Sequence, residues 1–293
     1  MMHAQSAVQE RETPLRWKPP GTSRRRSARF AMTQTRNGVP HLLDCGGCWQ
    51  QISNEIRAAT DIWIFLDFDG TLVSYYDRPE DVKLSGESRR ALLRLSRHRH
   101  VHLAIVSGRR NVSLRRYIRV PRMKLLGLFG WEKSGRPPLP RGTKAALRGL
   151  GSMLAPLPAM FPGILVEDKS ISYAVHFREA PPGTQRRVRA WVRRLVTRTQ
   201  PDLAVIHSNH ACEIVPRQVQ GKGVAMREFT RGLPTPFLPI YVGDDLTDEP
   251  AFTALRQGIT VRVGPTVRTK ARFRLGNPEE VCTFLERIEE ELS

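Results

Sequence analysis

Two aspartates two positions apart, Asp67 and Asp69 in "LDFDGTLV", and an adjacent acidic pair, Asp244 and Asp245 in "YVGDDLTDE", are the first candidates for chemistry in this 293-residue chain. A spacing of i, i+2 turns both side chains to the same side of an extended segment. Carboxylates crowded in this way resist joint ionisation unless a cation shares them. With Asp244 and Asp245 supplying further oxygen ligands, the donor set is oxygen alone, with no cluster of His or Cys beside it, and suits a hard cation, Mg2+ in the first instance. A carboxylate nucleophile, a second carboxyl able to hold a proton, and Mg2+ are the parts needed to pass a phosphoryl group through an aspartyl-phosphate. Ser107 and Gly108 in "AIVSGR" precede a helix whose N-terminus favours anions, and Ser107 can hydrogen-bond a phosphate oxygen. Lys222 in "QGKG" stands between glycines that allow close backbone approach, and can neutralise developing charge. Taken singly these signals are weak, since an Asp after a strand is usually a turn residue.

What gives them weight is the set of elements that must position them. "IWIFLDF" and "VHLAIVSG" are short, nearly continuous apolar runs, as expected of strands buried on both faces of a parallel sheet. Between them, residues 86–98 place Ala91, Leu92 and Leu95 at helical spacing with arginines opposite. This alternation predicts a doubly wound α/β sheet. In such sheets ligands bind outside the carboxyl ends of the strands, where all three acidic and Ser-Gly motifs fall. The middle third differs: helices near 142–156 and 184–199 interleave with two strand pairs, "GILVEDK"/"ISYAVHF" and "LAVIHSN"/"ACEIVP". The fold class expected is therefore α/β, a Rossmann-like core with an inserted α+β module. The core is assigned to residues 55–133 plus 215–293 and the module to 134–214, with residues 1–54 a basic extension and lead-in.

Composition bounds the function classes. No apolar run approaches the ~18–20 residues of a transmembrane helix, so a membrane span is not expected. The four cysteines do not form a disulfide framework, and the "DCGGCW" pair Cys45 and Cys48 reads as two ordinary thiols in a reducing, cytoplasmic setting. Residues 1–40 lack apolar periodicity and read as disordered. The formal charge of +19 raises nucleic-acid binding as an alternative. Only eight of the 47 basic residues are lysine, and so uniform an arginine bias argues more for codon usage than for a nucleic-acid partner. Oligomeric state is not legible.

The ordered set "LDFDGTLV", "AIVSGR", "KG" and "YVGDDLTDE" resembles the haloacid dehalogenase superfamily. "LVEDKSISYAVHFR", "CEIVPRQVQGKG" and "GDDLTDEPAF" resemble its trehalose-6-phosphate phosphatases in particular, over about four-fifths of the chain. The resemblance implies that Asp67 is the nucleophile and Asp69 the general acid and base. It also implies that Ser107, Gly108 and Lys222 hold the phosphoryl group, and that Asp67, Asp69 through its carbonyl, and Asp244 bind Mg2+, with Asp245 and Asp248 in the same acidic loop. Sugar-recognition positions map to Glu132, Glu167, Lys169, His176, Arg178 and Glu213. The substrate so implied is a small phosphosugar, trehalose 6-phosphate, with sucrose phosphate or a hexose phosphate as the runner-up. One departure bears on specificity: the family's His-Gly-x-Glu stretch reads Phe129, Gly130, Trp131, Glu132.

Overall fold

The computed structural model describes residues 39–76, 81–132, 139, 141–265 and 267–293. Its larger sheet is built from β1 (Ile62–Leu66), β2 (Val101–Val106), β3 (Lys124–Leu126), β8 (Leu238–Gly243), β9 (Ile259–Val263) and β10 (Phe273–Leu275). The order is β10-β9-β8-β1-β2-β3 and every pairing is parallel. β1 is buried at all five positions, and its period-2 alternation divides the packing between two faces. Ile62, Ile64 and Leu66 face α1 (Gly46–Arg57), α2 (Gly86–Leu95) and α9 (Pro278–Leu292); Leu114 of α3 (Asn111–Tyr117) belongs to the same core. Trp63 and Phe65 face α7 (Lys222–Arg231) and α8 (Glu249–Ala254). Fully buried residues of this size contribute roughly 1.5–3 kcal/mol each, so the central strand is anchored from both sides.

Helix starts follow the local chemistry. Ser85 caps α2 by accepting from Ser88 N at 3.0 Å, and Asn277 caps α9 by accepting from Glu280 N at 2.9 Å, with Pro278 at the first position. Two expectations about the lead-in change. Residues 39–57 belong to the core: Leu42, Ile52 and Ile56 are buried in it, and α1 packs on α9 with Trp49 edge-on to Phe284. Cys45 and Cys48 are not separate thiols but a disulfide, because the N-cap and first turn of α1 bring their Cα atoms within 5.2 Å. The disorder expected of residues 1–40 concerns, up to residue 38, a stretch outside the described residues.

The inserted module has its own sheet: β4 (Leu165–Asp168), β5 (Tyr173–His176), β6 (Leu203–His207) and β7 (Ala211–Pro216), antiparallel in the order β4-β5-β7-β6. Register separates its faces. Val166, Val175 and Cys212 align in one row and pack with α4 (Arg141–Leu154), α5 (Leu157–Met160) and α6 (Pro182–Thr199). Glu167, Ala174 and Glu213 align in the next row and face the other way. The chain leaves the core after β3 and returns after β7. Leu128 and Phe129 of the outgoing segment pack with Val215 and Val219 of the return. The expected boundary at 133/134 falls in residues 133–138, outside the described residues. Among the described residues, no helix is long and apolar enough to cross a membrane.

Candidate active site

The register of the parallel sheet assembles the site. Leu66 lies opposite Ile105 of β2 and Val242 of β8, so the residues just beyond these positions, Asp67, Ser107 and Asp244, meet at one edge. Asp67 N donates to Val242 O at 2.9 Å, extending the ladder by one residue and holding the Asp67 backbone in place. Gly70 then turns the chain with φ of 79°, a left-handed conformation that L side chains rarely adopt, and a Cβ there would collide with Asp244 and Tyr75.

Asp67 is 5% exposed and sits between opposing influences. Its Oδ2 is 2.8 Å from Lys222 Nζ and its Oδ1 accepts from Phe68 N at 2.7 Å. Lys222 Nζ also donates to Asp248 Oδ1 at 2.8 Å, an oxygen that accepts from Tyr241 OH as well. Burial drives the Asp67 pKa well above the usual carboxylate range, with Lys222 opposing and Asp248 and Asp244 adding to the rise. Burial alone would lower the Lys222 pKa, but Asp248 and then Asp67 reverse the effect and keep the ammonium protonated. Asp244 accepts from Thr71 Oγ1 at 3.2 Å and from Tyr75 OH at 2.7 Å, yet burial and the charge of Asp248 push it up to about 7.

Asp67, Asp244 and Asp248 bring carboxylate oxygens within 4.8 Å of one another. Three buried acids around one lysine carry more negative charge than the lysine balances. The surplus, with donors that are all oxygen, fits a hard divalent cation. The two acids of the "GDD" pair therefore diverge. Asp244 faces the cluster, whereas Asp245, expected among the metal ligands, points to the module: its Oδ1 accepts from Asn209 N at 2.7 Å, and its side chain caps the 3-10 turn Leu246–Asp248. Asp248, three residues on, takes the inward place.

Asp69 is also turned from the cluster, in a fork-to-fork pair with Arg109, whose Nε and Nη2 each reach a carboxylate oxygen at 2.8 Å. Arg109 lies 5.5 Å over both Phe68 and Tyr117 rings, which fixes the guanidinium plane. Ser107 is buried and accepts from Arg109 N at 3.1 Å. Gly108 is required by packing: a Cβ there would stand 2.9 Å from Phe129 Cζ. Phe129 itself is buried with φ of 57°, between Leu128 and Gly130, which also have positive φ.

The module forms the opposite wall of the same cleft, which Asp67, Asp69, Ser107, Gly108 and Lys222 line from the core. Lys169, Glu167, His176, Arg178 and Glu213 line it from the module. Lys169 Nζ is 2.7 Å from Glu213 Oε1 and 3.9 Å from Glu167 Oε2. His176 Nε2 lies 2.9 Å from the same Glu167 oxygen. Burial would raise the Glu167 pKa, but the His176 hydrogen bond and the Lys169 charge hold it down to about 2. Glu213 Oε2 is buried and makes no hydrogen bond among the described residues, leaving an acceptor for a hydroxyl. Arg178 lies 5.0 Å over the Tyr75 ring.

Glu132, expected at the sugar, is instead turned away. Its carboxylate receives Arg110 Nε at 3.2 Å and Asn111 N at 2.6 Å, closing the N-terminus of α3. Arg110 continues to the module, donating to Lys169 O at 2.9 Å. Sequence reasoning assigned no role to Arg109, Arg110, Tyr75 or Tyr241. Arg109 had a signal, since it completes the "SGR" motif; the two tyrosines had none.

The chain is similar to known proteins across both the core and the inserted module. The trehalose-phosphatase family profile matches residues 65–144 and 152–278. The trehalose-6-phosphate phosphatase of Escherichia coli (strain K12) is 31% identical over 232 residues, 76% of this chain and 85% of that protein. In fold, the C-terminal domain of C. albicans trehalose-6-phosphate phosphatase superposes with a TM-score of 0.74 at 20% identity, covering 87% of this chain and 99% of that one. A haloacid dehalogenase-like hydrolase from Bacteroides thetaiotaomicron superposes with a TM-score of 0.55 at 18% identity, over 78% of this chain and 99% of that one. The match spans the core motifs and most of the inserted module together, and on it the chain belongs to the trehalose-phosphatase family.

Proposed function

We propose that this protein is a Mg2+-dependent phosphomonoesterase that hydrolyses trehalose 6-phosphate to trehalose and inorganic phosphate through an aspartyl-phosphate. The observation that carries the reading is the placement of Asp67, buried against Lys222, at the base of a cleft walled by Glu167, Lys169, His176 and Glu213. Such a wall of acceptors and donors suits a hydroxyl-rich sugar.

In this mechanism an Asp67 oxygen attacks phosphorus, and the bond from phosphorus to the sugar oxygen breaks. The carboxyl of Asp69 gives its proton to that leaving oxygen. In the second step the Asp69 carboxylate takes a proton from water, the water oxygen bonds to phosphorus, and the bond to Asp67 breaks. Lys222 and Ser107 stabilise the transferring group. Asp67, Asp244 and Asp248 would hold Mg2+, which supplies positive charge to the phosphoryl oxygens. Because Arg109 engages both Asp69 oxygens, Asp69 reaches the leaving group only by exchanging this partner, and substrate binding must drive that exchange.

The test is phosphate release from trehalose 6-phosphate with Mg2+ and with EDTA, beside a panel of sucrose phosphate and hexose phosphates. Release that is selective and metal-dependent is expected, with Asp67→Asn slower by at least about a thousandfold. Equal turnover across the panel would remove the trehalose assignment; full activity in Asp67→Asn would remove the mechanism.

A further inference from the structure

Tyr75 lies beyond the motif residues and the reaction above gives it no part, yet it touches both halves of the cleft. Its hydroxyl donates to Asp244 Oδ2 at 2.7 Å, while Thr71 occupies Asp244 Oδ1. The ring meets the module at two separate segments. Arg178, just past β5, lies 5.0 Å over its centroid, and His210, between β6 and β7, meets it edge-on at 4.9 Å and 74°. Next to His210, Asn209 N donates to Asp245, so one loop of the module grips the core at two adjacent points. The Gly70 turn supports the arrangement from below: Gly70 N donates to Val73 O at 2.7 Å, and the turn leaves no room for a Cβ against either Asp244 or the Tyr75 ring.

We propose that Tyr75 is a positioning residue that couples closure of the module to the cation site: its hydroxyl orients Asp244, and its ring is the platform on which Arg178 and His210 seat the module. An outer partner of a metal-binding carboxylate fixes its orientation, and losing such a partner typically weakens metal binding 10- to 100-fold. Ring contacts with a cation and a second aromatic edge are directional, so they favour one seated position of the module. The hydroxyl and the ring thus carry separable duties within one side chain. The proposal rests on the Mg2+ reading above for the identity of the cation.

Two measurements on the whole 293-residue chain without substrate test it. In Tyr75→Phe, calorimetric titration with Mg2+ is expected to show about tenfold weaker binding, with amide exchange at Asn209 unchanged. In Tyr75→Ala, the Asn209 amide is expected to exchange at least about tenfold faster as the module unseats, while amides of β1 exchange as in the parent and report an intact core. Should the alanine variant not fold, Tyr75→Leu carries the same arm. Mg2+ affinity in Tyr75→Phe within twofold of the parent, or parental Asn209 exchange in the variant lacking the ring, would overturn the proposal. Neither arm uses a sugar phosphate, so failure of the substrate assignment would be visible separately in the phosphate-release assay.

Discussion

Asp244→Asn should make the metal-free protein more stable while disabling it, and the gain should depend on pH in a defined way. The Asp244 pKa is about 7 in the folded protein against an ordinary 3.8, because burial and Asp248 disfavour its charge. A group with a raised folded pKa binds more protons folded than unfolded, so stability falls as pH rises between the two values. The difference, about three pH units at 1.36 kcal/mol each, amounts to about 4 kcal/mol lost between pH 4 and pH 7. Asparagine removes this loss and keeps the local bonds: its carbonyl accepts from Tyr75, and its NH2 reaches Thr71 Oγ1. In EDTA, urea unfolding should therefore show the variant gaining nothing at pH 4 and about 4 kcal/mol above pH 7. Mg2+ at a hundred times its Kd should narrow the gap by stabilising the parent by about 2.7 kcal/mol. Parallel pH profiles for parent and variant would refute the claim that Asp244 is held in an ionisation-hostile site.

Other consequences follow from single contacts. Arg109→Lys exchanges a fork for a point charge and loosens the pair that Asp69 must leave, so kcat should rise severalfold with KM changed less than threefold; a parental kcat would show that the pair with Asp69 is incidental. Gly108→Ala drives a methyl into Phe129 and should cost roughly 1–3 kcal/mol of stability in urea unfolding, with Gly108→Ala/Phe129→Leu recovering part of it; a cost under about 0.5 kcal/mol would mean that Phe129 moves freely. Lys169→Met leaves the buried Glu213 without its cation and should lower stability by about 3–5 kcal/mol while raising KM; an unchanged KM would place the substrate elsewhere.

The parts of the fold that show in the sequence are those with a long enough signal. β1 and β2 stand out as unbroken apolar runs, and α6 and α9 run for more than four turns with a clear period. β3 and β10 have three residues each, too few for any pattern to emerge, and both lie at sheet edges. α1 was hidden because its start, "GGC", is poor in helix formers and follows a stretch without periodicity. Asp67 and Asp244 were legible as candidates because strand ends fix where they emerge, and Lys222 because it follows a glycine at the start of α7. Which of Asp244, Asp245 and Asp248 turns inward depends on a 3-10 turn whose capping bonds no spacing rule reveals. The contacts of Glu132 were hidden for a similar reason: its partner, the N-terminus of α3, comes from a segment some twenty residues earlier in the chain.

The packing of Leu128 and Phe129 against Val215 and Val219 has an evolutionary consequence. The two ends of the inserted module meet at one small apolar patch, so to the core the whole module is a single loop with adjoining ends. A segment of that kind can be replaced by a different one without stretching any core connection, as insertions at closely spaced chain ends tolerate. On the proposed function, the residues that transfer the phosphoryl group and those that face the sugar therefore lie on separately inserted parts of the chain. If the core acts on phosphate esters as proposed, a lineage could keep Asp67, Lys222 and Asp244 in place while it exchanges, as one segment, the wall of the cleft opposite them.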